Sequence, residues 1–113
     1  MENALIFDAI RSPRGKGKQD GSLHELTSVY LSSEILKCIR DRNQLNTSLV
    51  EDVIWGNVTQ IGEQGGCLAR SAVLKAGFDE TTPGLSINRF CASGLEAVNL
   101  AANQIKGGAG LAY

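Results

Sequence analysis

Cys91 is the residue of this chain whose type and position best suit chemistry. It lies between a predicted strand that ends at Phe90 and a predicted helix that Ser93 caps. The free N–H groups and the dipole of a helix N-terminus favour an anion, and the thiolate is the reactive form of cysteine. A strand-to-helix turn also presents its side chain at the sheet edge where α/β proteins bind ligands. The pattern predicts a nucleophile at Cys91, and a buried apolar cysteine stays open as the alternative.

The other two cysteines are weaker candidates. Cys67 begins a predicted helix, but it shares helical spacing with Leu74 and Phe78, which favours a structural role in the core. Cys38 lies mid-helix beside an apolar arc and is also predicted to be structural. The chain has no CxxC pair and one histidine, His24, for which we predict local packing rather than catalysis. We therefore predict no metal site.

A glycine-bearing basic loop, Gly15–Lys18, follows a predicted strand and precedes a predicted helix, as phosphate-binding loops do. The Walker pattern is absent, and the third glycine that a Rossmann pattern requires is replaced by Asp20. A solvated basic loop is the better interpretation. The sequence thus predicts no cofactor-binding residues.

Composition excludes several classes of function. The chain has 113 residues, which allows one domain or part of one, and its net charge of −1 shows no basic excess for nucleic-acid binding. The longest apolar run, Ala4–Phe7, is too short to span a membrane. No signal peptide is recognisable, which predicts a cytoplasmic location without excluding an organelle.

Predicted strands and helices alternate along the chain. The strands are 3–11, 52–60, 85–90 and 111–113, and the helices are 22–42, 67–76 and a third from Ser93 to the Gly107-Gly108 pair. The order β-α-β-α-β-α-β indicates an α/β fold with a parallel sheet. The short last strand indicates that the chain stops inside a larger α/β domain.

The segment around Cys91 resembles a known family. Asn88–Val98 is similar to the nucleophile segment of thiolases, the acetyl-CoA acyltransferases. Other segments similar to thiolases are 8–13, 17–23, 62–65 and 69–72, in the same order. The resemblance therefore covers nearly the whole chain.

The resemblance implies a thiolase-like fold in which residues 1–113 are an incomplete N-terminal domain and the C-terminal domain is absent. It implies that Cys91 attacks a 3-ketoacyl-CoA and carries the acyl group as a thioester, with CoA thioesters as substrates and no cofactor. It implies a homodimer or homotetramer for the full-length protein. Gln64 and Arg70 match positions near the subunit interface of the family, where they support the partner's cysteine loop.

The catalytic histidine of the Gly-His-Pro motif and the second cysteine of the Cys-x-Gly-Gly-Gly motif have no counterpart in this chain. We therefore expect the isolated chain to be inactive, because it lacks the base and the acid of the reaction. Three alternatives stay open: a fragment of a β-ketoacyl synthase-type condensing enzyme, a non-catalytic relic or interaction fragment, and a nucleotide-binding module.

Overall fold

Three helices and two strands alternate in the computed structural model, which describes residues 3–113. The elements are α1 (Ser28–Asn43), β1 (Val53–Gly56), α2 (Leu68–Lys75), β2 (Gly84–Ile87) and α3 (Ser93–Lys106). Short 3-10 turns lie at Thr47–Leu49 and Gly62–Gln64. Within these residues no helix is both long and apolar enough to cross a membrane.

The two strands form a parallel sheet with α2 as the crossover between them. Val53 lies opposite Gly84, and the register continues to the pair Gly56 and Ile87. Parallel strands need such a crossover because they cannot be joined by a tight hairpin. The C-terminal ends of both strands therefore lie at one edge, and the two loops that follow them are neighbours.

The core lies between α1, α2 and β1. Its buried members are Leu36, Val50, Val53, Ala72, Val73, Ala76 and Phe78, with Trp55 packed against them. Buried alanines recur at Ala69 and Ala72 of α2 and at its C-cap, Ala76, the spacing of one helix face. Small side chains on that face let α2 approach both α1 and the sheet closely.

Glycines in the strands allow two helices to begin directly on the sheet. A Cβ at Gly56 would lie 2.6 Å from the backbone N of Gly94 in the first turn of α3. A Cβ at Gly84 would clash in the same way with the backbone N of Arg70 in α2. Both contacts involve backbone, so a larger residue cannot be accommodated by rotating a side chain.

Residues 3–11 do not form the predicted strand. Leu5, Ile6 and Phe7 are largely exposed, and Phe7 has 90 % of its surface accessible. An apolar run becomes a strand only when another strand supplies its hydrogen bonds, and none lies beside this segment in residues 3–113. The segment is instead held by Asp8, whose carboxylate contacts Arg42 and Asn43 at the end of α1.

Residues 111–113 also lack the predicted strand structure. The Ala112 carbonyl accepts a hydrogen bond from the Glu51 N–H at 2.9 Å, two residues before β1 begins. This one contact brings the end of the chain beside the sheet, but a ladder requires repeated pairing.

The start of α1 differs from the prediction. Residues 22–27 form turns, His24 is exposed, and α1 begins at Ser28 with Thr27 as its N-cap. The Thr27 hydroxyl accepts a hydrogen bond from Tyr30 N at 3.1 Å. The predicted capping box at Ser22 is therefore wrong, because i to i+3 bonds such as His24 N to Gly21 O already engage this backbone.

Candidate active site

Cys91 lies in the five residues between β2 and α3, here called the cysteine loop (residues 88–92). Its side chain is exposed among residues 3–113, which does not agree with the alternative of a buried apolar cysteine. The loop follows the C-terminal end of β2 and leads directly into the 14-residue helix α3. The predicted placement of Cys91 between a strand and a helix is confirmed, although the strand ends at Ile87 and not at the predicted Phe90.

The residue before Cys91 has an unusual backbone. Phe90 has a φ of +46°, a left-handed conformation that residues with a Cβ rarely adopt. The Asn88 side-chain oxygen accepts a hydrogen bond from Phe90 N at 2.8 Å. This contact is the Asx turn that asparagine commonly makes to the residue two positions on.

Ser93 stabilises the same turn from the other side. Its hydroxyl accepts a hydrogen bond from Arg89 N at 2.9 Å and donates one to the Phe90 carbonyl at 2.6 Å. Ser93 is 4 % exposed and is the first residue of α3, whereas the N-cap is Ala92. The predicted capping box is therefore wrong, because the Ser93 hydroxyl points back into the cysteine loop.

The cysteine loop is joined to the loop that follows β1. Asn57 N donates to the Ile87 carbonyl at 2.9 Å, and the Asn88 side chain donates to the Val58 carbonyl at 3.3 Å. Asn57 is itself buried, and its side chain donates to the Gln64 carbonyl at 3.1 Å. The two loops at the C-terminal edge of the sheet are thus one connected structure.

Asn57 and Asn88 were not among the functional residues predicted from the sequence. Asparagine commonly forms a turn by accepting from the N–H two positions on, and this preference was the available sequence signal for Asn88. Asn57 offers no comparable local signal, since its role depends on a carbonyl in a different loop.

The arrangement around Cys91 suits attack on a carbonyl. Within residues 3–113 the Cys91 backbone N–H donates no hydrogen bond, and the first turn of α3 begins two residues later. Free N–H groups at a helix N-terminus stabilise developing negative charge. The exposed Cys91 thiol can therefore attack a carbonyl carbon while the Cys91 N–H donates a hydrogen bond to the carbonyl oxygen.

Cys67 is the N-cap residue of α2 and is partly buried. Its sulfur lies 3.2 Å from the Gly84 carbonyl and 3.7 Å from the Ser86 hydroxyl. Burial raises the pKa of the Cys67 thiol, but hydrogen bonds from the Arg70 N–H and from Ser86 outweigh this, so the pKa is lowered overall. These contacts join α2 to β2 and agree with a structural role.

Cys38 does not pack in the core. It is exposed on α1, so the prediction of a structural role is wrong. The buried residues of α1 are Ser32, Ser33 and Leu36, which places the buried face away from the margin where Cys38 lies.

Arg70 and the basic loop are engaged in local contacts. The Arg70 guanidinium donates to the Thr82 carbonyl at 2.5 Å and to the Glu80 carbonyl at 3.0 Å, which holds the turn before β2.

Lys16 forms an exposed ion pair with Asp20 at 3.1 Å. Gln64 closes the short 3-10 turn after β1 and is half-buried. Residues 3–113 contain no cluster of three or more His, Cys, Asp or Glu side chains able to hold a metal.

A comparison with protein families matches residues 4–111 to the thiolase N-terminal domain. The chain belongs to the thiolase family. Its α/β fold class, predicted from the order of its elements, is confirmed by this match together with the parallel sheet. The thiolase match includes the cysteine loop and both elements that flank it.

Curated thiolases resemble the chain over nearly its whole length. It is 43 % identical over 111 residues to the 3-ketoacyl-CoA thiolase of Shewanella denitrificans, which covers 97 % of this chain and 28 % of that relative. The 3-ketoacyl-CoA thiolase of Shewanella loihica is 41 % identical with the same coverage. The chain thus spans little more than a quarter of the length of these thiolases.

A solved thiolase structure has the same fold. The crystal structure of the Bacillus anthracis acetyl-CoA acetyltransferase superposes with a TM-score of 0.73 and 36 % sequence identity, over 80 % of this chain and 23 % of that one. Family and fold therefore agree.

Proposed function

We propose that this chain supplies the nucleophile of a thiolase-type acyltransferase, with Cys91 as the acyl carrier. The observation that carries the proposal is the exposed Cys91 thiol in a braced strand-to-helix loop, within a segment that belongs to the thiolase family. The names of its relatives, 3-ketoacyl-CoA thiolase and acetyl-CoA acetyltransferase, point to CoA thioesters as substrates.

In the proposed reaction the Cys91 thiolate attacks the 3-keto carbon of a 3-ketoacyl-CoA. The bond between carbons 2 and 3 then breaks, and the electron pair leaves with acetyl-CoA as its enolate, which takes up a proton. The shortened acyl group stays on Cys91 as a thioester, and the thiol of free CoA removes it. Two easier steps thus replace one difficult step.

The Cys91 N–H supplies one part of the catalytic environment in this proposal. It donates to the oxygen that becomes negative as the thiol attacks. The base that deprotonates the thiol and the acid that protonates the enolate come from parts of a thiolase for which this chain has no counterpart. Assembly as a homodimer or homotetramer belongs to the same proposal.

The test uses a chimera in which this chain replaces the matching segment of the Shewanella denitrificans enzyme. We expect the chimera to cleave acetoacetyl-CoA with free CoA, and Cys91→Ser to abolish cleavage. The matched control is Cys67→Ser, which keeps a hydrogen-bond donor to the Gly84 carbonyl and is expected to retain activity.

The outcomes separate the alternatives. A folded chimera in which Cys91→Ser keeps full activity would contradict the assignment of Cys91. Activity that requires an acyl carrier protein and not free CoA would favour a β-ketoacyl synthase-type enzyme. The 113-residue chain alone is expected to be inactive in the same assay, because it lacks the base and the acid.

A further inference from the structure

Two polar side chains converge on the turn that presents Cys91. Asn88 accepts from Phe90 N at 2.8 Å, and Ser93 contacts both Arg89 N and the Phe90 carbonyl. Together they bind three of the backbone polar groups of Arg89 and Phe90, the two residues directly before Cys91.

These contacts offset a conformational cost. A residue with a Cβ at φ +46° is disfavoured and persists only where the surroundings enforce it. The Phe90 side chain cannot enforce it by packing, since it is 76 % exposed. The constraint therefore comes from hydrogen bonds: the side chains of Asn88 and Ser93 bind the Phe90 backbone, and Ser93 N also donates to the Phe90 carbonyl at 3.1 Å.

The same two residues connect this turn to fixed parts of the fold. Ser93 is buried at the start of α3, which lies against Gly56 of β1. Asn88 also donates to the Val58 carbonyl in the loop after β1. The direction of the Cys91 N–H is thus set relative to α3 on one side and to β1 on the other.

We propose that Asn88 and Ser93 are positioning residues for acyl transfer, which hold Phe90 in its left-handed conformation so that the Cys91 thiol and N–H act on the same carbonyl. The inference rests on the proposed function of Cys91 and adds which residues orient this cysteine for acyl transfer. Neither residue touches the acyl group. A displacement of about an ångström at a reacting group is enough to lower a rate strongly.

The experiment compares two reactions of Cys91 in the chimera described above, since the isolated chain is expected to self-associate. Acylation by p-nitrophenyl acetate passes through an oxyanion and releases p-nitrophenolate, so it needs no acid from the protein. Alkylation by iodoacetamide forms no oxyanion and reports only exposure and ionisation. Site-resolved mass spectrometry gives both rates at Cys91 and at the exposed Cys38, which serves as reference in the same molecule.

In the unmutated chimera, we expect a higher ratio of acylation rate to alkylation rate at Cys91 than at Cys38. Asn88→Ala and Ser93→Ala are expected to lower the Cys91 ratio about 10-fold, because the oxyanion donor is misplaced. Ser93→Thr keeps the hydroxyl, and Asn88→Asp keeps the acceptor for Phe90 N. Both variants are therefore expected to retain most of the acylation-to-alkylation ratio at Cys91. Asn46→Ala, which removes an equivalent asparagine contact to Ser48 N far from the cysteine loop, is the matched control.

Two results would overturn the proposal, and they are distinguishable. A high ratio in the unmutated chimera that Asn88→Ala and Ser93→Ala both retain would reject the positioning role and leave Cys91 as the nucleophile. A ratio at Cys91 of the unmutated chimera no higher than at Cys38 would show that no oxyanion donor assists Cys91, and it would reject the proposed function. Because Asn88 is exposed, its variants test the idea even where a variant at the buried Ser93 fails to fold.

Discussion

At the residue scale, Asp8 shows how one side chain holds a segment that has no secondary structure. Its carboxylate accepts hydrogen bonds from Arg42 Nε and from the Asn43 amide, both at 2.7 Å. The hydrogen bonds from Arg42 and Asn43 lower the pKa of Asp8 from its ordinary 3.8 to about 2. The ionised form is therefore the one that binds α1.

This pKa predicts when the attachment is lost. A carboxyl whose pKa is lower in the folded chain stabilises it above the unfolded pKa, and that stabilisation disappears as the pH falls from about 4 through about 2. An NMR titration of the Asp8 side chain is expected to give a midpoint near 2. In Arg42→Gln the midpoint should return towards 3.8, while Arg14→Gln, at an exposed residue directly before the basic loop, should leave it unchanged. A midpoint near 3.8 in the wild-type chain would contradict the contact.

At the scale of elements, the two strand glycines decide where the helices begin. A Cβ at Gly56 would lie 2.6 Å from Gly94 N and from the Ser93 carbonyl carbon, so α3 would have to move away from β1. Because α3 begins directly after the cysteine loop, this contact also bears on the position of Cys91.

Gly56→Ala is accordingly expected to lower the free energy of unfolding by about 1–3 kcal/mol, the usual cost of overpacking. Urea unfolding followed by circular dichroism measures it. Gly17→Ala is the matched control, since a Cβ at Gly17 meets nothing within 4 Å. Equal stability of the two variants would show that α3 does not depend on close contact with β1.

At the scale of the whole molecule, the chain leaves much apolar surface uncovered. An open apolar groove of about 1270 Å³ lies between residues 3–10, β1 and α3. The radius of gyration is 14.3 Å, larger than the roughly 13 Å typical of a compact domain of this length. A two-stranded parallel sheet is also small for independent stability, because such sheets normally have both faces covered.

We therefore expect the isolated chain to self-associate at micromolar concentration and to bind a hydrophobic dye such as ANS. Sedimentation velocity across a concentration series measures the association. Replacing Phe7, 90 % exposed, by Ser should reduce both effects, whereas the same change at the buried Phe78 should unfold the core. A monomer with a sharp, cooperative thermal transition would contradict this expectation.

The sequence alone determined the features that depend on neighbouring residues. The helix that became α2, the stop at Gly77 with its φ of +73°, and the position of Cys91 between a strand and a helix all follow from local spacing and backbone preference. The resemblance of residues 88–98 to thiolases could also be recognised from the sequence, because its distinctive residues are contiguous.

Only the tertiary structure decided what depends on distant groups. Residues 3–11 have the composition of a buried strand, yet without a partner strand they form no regular element and are held by Asp8. Ser93 has the pattern of a cap, but its hydroxyl bonds to Arg89 and Phe90 because that turn folds back over it. A hydrogen-bonding side chain takes the partner that the fold brings near, and sequence spacing describes only the partners that lie close along the chain.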